Sequence, residues 1–213
     1  MVLRPDLDQR TGKAIEQRRA AHTRYTAVLG SVTDFAPALW ALAVAHDVPQ
    51  AARSSVTADG AEWIWALTAD YFPDSVQIVD WYHADQHLAA AAHALYPEDE
   101  LTAQRWRKQM RDPLFAGQVW RITQPLQAAQ LPEQARYVQH HQRRMQYLEF
   151  REEGFPIGSG TVESGIEQHK SRLTGPGMRW ERAGAERMLV IRSAVLAKTF
   201  AALWMASQNS PSI

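Results

Sequence analysis

Ser54-Ser55-Val56-Thr57-Ala58-Asp59-Gly60 and Ser75-Val76-Gln77-Ile78-Val79-Asp80 are the two stretches whose reading decides the fold. Each is a short run, β-branched in part, that ends in an aspartate; the second is the clearest strand in the chain. Between them Trp63, Ile64 and Leu67 recur on one side of a helix, closed by the turn Phe72-Pro73-Asp74. After Asp80, Tyr82 to about Ala94 is alanine-rich and helical in pattern. Two strand-to-helix units in succession predict a parallel α/β pair. In such sheets ligands gather at the carboxyl ends of the strands, where Asp59 and Asp80 stand.

Charge is distributed unevenly around these strands. Residues 54–104 carry 9 acidic side chains and no Lys or Arg, net −9. Residues 1–53 carry 7 basic and 5 acidic, net +2, and residues 105–213 carry 16 basic and 9 acidic, net +7. The whole chain is neutral. An acidic centre between basic flanks suits a cation-holding site surrounded by polyanion-binding surface, although solvated helix faces give the same pattern. With 46% hydrophobic residues in 213, a core of ordinary size can be buried. The absence of cysteine excludes disulfides, thiolate metal sites and a cysteine nucleophile, and fits a reducing cytoplasm. No apolar run reaches membrane-span length, and Met1-Val2-Leu3-Arg4-Pro5-Asp6 lacks the apolar centre of a signal peptide. The expectation is a cytoplasmic protein with no membrane partner.

Further out, residues 10–25 read as a polar helix carrying Arg10, Lys13, Arg18, Arg19 and Arg24. Thr33 or Asp34 is placed to cap a helix through Phe35, Leu39, Leu42 and Ala43, ended by Val48-Pro49. Residues 1–55 show no strand meander. Residues 100–150 read as helical, broken at Pro113, Pro125 and Pro132. Gly154 to Gly160 is a loop, followed by a helix from about Val162 to Leu173. Gly175-Pro176-Gly177 interrupts it before one long amphipathic helix from Ala183 to about Ser207, with a frayed tail.

Several of these residues can carry chemistry. Asp59 at a strand end can hold a hard cation, or simply cap the next helix. Asp80, His83 and His87 have the composition of a two-histidine, one-carboxylate zinc set, since residues four apart share a helix face. Glu163 opens a helix, where a carboxylate also favours the dipole. Lys170, Arg172, Arg179 and Arg182 follow it with Met178 and Trp180 interleaved, a pattern that can track a phosphate backbone. Carboxylates from distant parts of a chain can together bind two Mg²⁺ ions about 3.5–4 Å apart and cut or join phosphodiesters without covalent help from the protein.

Three ordered blocks carry a resemblance. They are Asp59-Gly60-Ala61-Glu62-Trp63-Ile64-Trp65 with Tyr71-Phe72-Pro73-Asp74 and Val79-Asp80-Trp81-Tyr82-His83-Ala84; Arg144-Met145-Gln146-Tyr147 through Pro156-Ile157-Gly158-Ser159-Gly160-Thr161-Val162-Glu163-Ser164; and Arg172-Leu173 with Gly177-Met178-Arg179-Trp180. The series, spanning about residues 24–195, resembles bacterial insertion-sequence transposases of the Kra type, related to Mutator-like transposases. The resemblance implies an α/β, RNase H-like DDE catalytic core, with an all-helical insertion and a mostly helical chain overall. It implies Mg²⁺ or Mn²⁺ as cofactor, with Asp59 the second catalytic Asp and Glu163 the catalytic Glu, both metal ligands. Asp80 and His83 fall where related transposases carry a Cys-x-x-His or Asp-x-x-His pair, and are expected to support the site. The implied organisation is residues 1–84 as the first half of the core, 85–150 as the insertion and 151–213 as the part bearing Glu163.

The family's first catalytic Asp lies on a leading strand that this reading does not find here. The chain is therefore expected to correspond to the C-terminal part of such a transposase, lacking the core's first strands and impaired in isolation. Its expected partners are DNA (transposon ends and target, through Lys170, Arg172, Arg179 and Arg182) and further copies of itself or full-length transposase. Two other readings stay open: a non-catalytic remnant that binds DNA or transposase, and a small zinc-binding helical protein using Asp80, His83 and His87.

Overall fold

The structure, a computed structural model, describes residues 3–7, 14–18 and 22–209. In chain order its elements are β1 (Leu3–Leu7), β2 (Ala14–Arg18), α1 (Val32–Val44), β3 (Ser55–Ala58), α2 (Glu62–Tyr71), β4 (Val76–Val79), α3 (Trp81–Leu95), α4 (Glu100–Phe115), α5 (Trp120–Ala128), α6 (Pro132–His140), α7 (Tyr147–Glu152), α8 (Gly160–Leu173), α9 (Arg182–Leu196) and α10 (Phe200–Asn209). The described chain is mostly helical. None of its described helices is long and apolar enough to cross a membrane. It divides into two units, one of Met1–Pro49 with Gly160–Ile213 and one of Gln50–Ser159.

The unit of Gln50–Ser159 is built on the expected parallel pair. β3 and β4 run parallel in the register Ser55↔Val76 to Ala58↔Val79. Ile78 and Val79 are fully buried and pack with Leu88, Ala91 and Ala92 of α3, Ile122 and Leu126 of α5, and Met145 and Tyr147. Each Val, Leu, Ile or Met side chain so buried contributes roughly 1.5–3 kcal/mol relative to exposure, which anchors the otherwise marginal two-stranded pair. Residues 85–150 lie wholly within this unit. The buried Asp85 accepts from Arg107 at 2.8 Å and lies 3.5 Å from Arg111, joining α3 to α4. Part of the acidic centre is thus neutralised internally.

The other unit holds the β1–β2 hairpin, α1 and α8 to α10. Ser31 begins α1; its backbone N–H and its hydroxyl both donate to Asp34 at 2.8 Å, which lowers the Asp34 carboxyl pKa. His169 of α8 bridges the Gly165 carbonyl at 2.8 Å and the Ser193 hydroxyl of α9 at 3.1 Å. The Tyr25 ring rests on Gly165, where a Cβ would collide with it.

Four local expectations are corrected. Residues 14–18 are a strand, not part of a helix over 10–25, and 22–25 are not helical; the rest of that stretch lies outside the described residues. All five residues pair antiparallel with Leu3–Leu7, and a strand partner overrides a weak helix preference. A two-stranded hairpin therefore occupies a region read as having no meander.

In α2 the buried aromatic is Trp65, while Trp63 is exposed. Pro113 and Pro125 sit inside α4 and α5 instead of breaking them. Each helix ends within three residues of its proline, so the missing N–H costs one bond near the end of the element.

The single helix expected over 183–207 is α9 and α10, separated at Ala197–Thr199. Lys198 turns left-handed at φ 60°. Its N–H donates to Val195 and the Thr199 N–H to Ala194, closing α9 with a Schellman-type pair of bonds. That motif ordinarily announces itself by glycine, and here it does not. Of the expected frayed tail, Gln208 and Asn209 are helical and the rest lies outside the described residues.

Candidate functional site at the strand ends

Both candidate aspartates of the parallel pair follow their strands directly, yet their surroundings differ. Asp80 is 2% exposed. Its Oδ1 accepts the His83 N–H at 3.0 Å, capping α3, and its Oδ2 accepts the Ser159 N–H. Its own N–H donates to the Ala58 carbonyl at 2.7 Å, and the neighbouring Trp81 N–H to Ile157 at 2.9 Å. The carboxylate therefore joins the β4–α3 junction to the loop that ends at Ser159. Charge-assisted bonds of this kind are about twice as strong as neutral ones.

Asp59 is exposed. Its Oδ1 accepts the Ala61 N–H at 3.0 Å, an Asx turn that leads into α2. Its Oδ2 has no hydrogen-bond or ion-pair partner among the described residues. Gly60 next to it has φ 100°; a Cβ there would lie 2.8 Å from the Tyr137 hydroxyl and 3.3 Å from His141 Nε2. The turn requires glycine twice over, for its backbone angle and for the closeness of α6.

Over this turn stands a group of rings that the sequence reading did not assemble. The Tyr137 hydroxyl donates to the Asp59 carbonyl at 2.9 Å. Its ring stacks on His87 with centroids 3.5 Å apart, and meets His141 edge-on at 4.7 Å. His83 lies edge-on to His87 at 5.1 Å. Burial pushes the Tyr137 phenol well above its ordinary range, helped by the Asp59 and Asp80 charges. Burial likewise lowers His87, with His83 adding to the effect. His141, 3% exposed, is brought down to about 4, first by burial and then by His140 and Arg144. Burial thus favours the neutral form of His87 and His141, which present lone pairs.

His140, exposed at the end of α6, places Nε2 2.7 Å from Glu62 Oε1 in the first turn of α2. Glu62, His140 and His141 each offer a ligand atom, all within 4.8 Å of one another. Among the described residues this is the group of three or more such side chains brought together; Asp80, His83 and His87 are not so placed. The sequence spacing pointed to His83 and His87 because they share a helix. Glu62 and the His140-His141 pair are separated by most of the unit, and only the adjacent histidines were a cue.

Glu163 stands in the first turn of α8, exposed, with no hydrogen-bond or ion-pair partner among the described residues. It belongs to a different unit from Asp59. Of the four nominated DNA-contacting cations, all exposed, Lys170 pairs with Glu167 at 3.0 Å. Arg182 pairs with Glu186 at 2.8 Å and donates to the Leu29 carbonyl at 2.9 Å. Arg172 and Arg179 make no ion pair among the described residues.

As donors for Mg²⁺, Asp59 and Glu163 have the right chemistry: exposed carboxylates, with at least one oxygen of each uncommitted among the described residues. Asp80, with both oxygens taken by backbone N–H groups, does not. No protein-family model matches the chain, and no curated protein or solved structure matches it either.

Proposed function

We propose that this chain is of the insertion-sequence DDE transposase lineage, with an RNase H-like core of the kind that cleaves and transfers DNA strands with Mg²⁺, its activity impaired in isolation because only two of the three catalytic carboxylates, Asp59 and Glu163, are identified. One observation carries the reading most: a parallel strand pair with an aspartate at each carboxyl end, one free to bind a cation and the other committed to positioning. In this reading Asp59 and Glu163 hold Mg²⁺ or Mn²⁺. When bound there, a pair of such ions would supply an activated attacking oxygen and charge neutralisation at the leaving oxygen. Asp80 positions the loop at Ser159, and His83 contributes the backbone N–H that keeps the Asp80 carboxylate in place. Arg172 and Arg179, uncommitted among the described residues, contact phosphates, and Lys170 and Arg182 do so by exchanging their carboxylate partners for DNA.

The test is Mg²⁺-dependent nicking of supercoiled plasmid, run beside DNA binding at graded salt. Nicking lost in Asp59→Asn and in Glu163→Gln, with DNA binding retained, supports the assignment. Unchanged nicking in Asp59→Asn overturns it. Salt-sensitive binding without nicking selects the second reading, a non-catalytic DNA-binding protein, which the uncommitted Arg172 and Arg179 favour equally.

A further inference from the structure

We infer that Glu62, His140 and His141 form a binding site for a divalent transition-metal ion of the zinc type. The site is separate from the carboxylate pair proposed to hold Mg²⁺ and does not depend on that reading. Its ligand set is two imidazoles and one carboxylate. That composition favours Zn²⁺, Co²⁺ or Ni²⁺ over Mg²⁺, which prefers oxygen and keeps its water.

The geometry is close to a ligand triangle. Bonds of about 2.0–2.2 Å place tetrahedral ligand atoms about 3.3 Å from one another. Here Glu62 Oε1 and His140 Nε2 are 2.7 Å apart, and all three ligand atoms lie within 4.8 Å. The residues that must shift, Glu62 and His140, are the exposed ones. His141 is buried and held by edge contacts to Tyr137 and His140, with the Trp65 ring tilted against it at 6.2 Å. The site thus has one fixed ligand and two adjustable ones.

Arg144 opposes the metal. Its Nη1 lies 3.3 Å from His141 Nδ1 and must donate there, since a guanidinium has no acceptor. The metal-free ring therefore carries its hydrogen on Nε2, the nitrogen nearer the Gly60 turn. A metal on either ring nitrogen disturbs this contact, because Nδ1 must either bind it or take up the displaced hydrogen. Occupancy would tie the first turn of α2 to the end of α6, on either side of the Asp59–Gly60 turn, and stiffen it.

The experiment is a Zn²⁺ titration of the whole chain against a competing chromophoric chelator, after EDTA treatment. It is repeated for H140A, E62Q and H83A, with circular dichroism confirming the fold of each. The inference requires about one equivalent of Zn²⁺ bound. It also requires an affinity loss in H140A and in E62Q of at least the ~10–100-fold seen when even a supporting residue of a metal site is removed. H83A should bind as the unmodified chain does. Zn²⁺ should raise the thermal midpoint of the unmodified chain and not that of H140A. Equal affinity in the unmodified chain and H140A overturns the site. A loss confined to H83A moves binding to the α3 histidines and also overturns it. Neither result bears on Asp59 and Glu163, whose variants are read by DNA nicking.

Discussion

Replacing Asp80 by alanine tests the division of labour between the two strand-end aspartates. The change removes the cap of α3, a loss of about 1 kcal/mol for such residues. It also leaves the Ser159 N–H, a partly buried donor, without its acceptor, at about 1–3 kcal/mol. Removing a carboxylate that is 2% exposed relieves its desolvation and offsets part of this. The net destabilisation of the Gln50–Ser159 unit should be about 2–3 kcal/mol. Urea unfolding would read it as a lower midpoint with an unchanged slope. Hydrogen exchange would read it locally, as faster exchange at the His83 and Ser159 amides by roughly 30- to 150-fold. Asp80→Asn should lose about half as much, because asparagine caps helices nearly as well and forfeits mainly the Ser159 bond. A change below about 0.5 kcal/mol in Asp80→Ala would refute the assignment of this carboxylate to structure.

Three further outcomes follow from local geometry. Gly60→Ala places a Cβ against the Tyr137 hydroxyl at a residue with φ 100°, and should cost about 2–4 kcal/mol in urea unfolding, more than Tyr137→Phe, which loses only the bond to Asp59 at about 1 kcal/mol. Lys198→Gly relieves the left-handed residue at φ 60° and should stabilise by about 0.5–1 kcal/mol after the added entropy of the unfolded chain, seen as a higher thermal midpoint. His141 has a folded pKa near 4 against 6.5 unfolded, so the unfolded chain takes up the proton first as pH falls. Stability of chelator-treated protein should be flat above about 6.5 and decline towards 4, with His87 adding in the same direction and His141→Asn flattening the slope.

Much of the Gln50–Ser159 unit is legible in the sequence, because its signals are local. The β-branched run before Asp80, the Asp-Gly turn after Ala58 and the alanine-rich α3 each declare themselves within a few residues. Asp80 at the carboxyl end of its strand is legible for the same reason, whereas its part as the cap of α3 comes from the structure. What escapes is set by partners elsewhere in the chain. Trp65 rather than Trp63 faces inward because the Arg144 guanidinium stacks on it at 4.6 Å and the His141 ring lies tilted against it at 6.2 Å, neither of which is near in sequence. The α9–α10 break hides because a lysine takes the left-handed position that usually calls for glycine. Ala14–Arg18 is a strand only because Leu3–Leu7 lies beside it. The Glu62–His140–His141 group escapes most completely. No spacing rule joins a carboxylate opening one helix to two histidines closing another, and the nearer pair His83 and His87 drew the reading instead.

The proposed function requires Asp59 and Glu163 to be ligands of a hard divalent cation. Mn²⁺ binding, followed by water-proton relaxation in the His140→Ala background so that the imidazole site does not contribute, tests this most directly. Mn²⁺ affinity should fall by at least ~10-fold in Asp59→Asn and equally in Glu163→Gln. Mn²⁺ bound as tightly by Asp59→Asn as by its parent would contradict it.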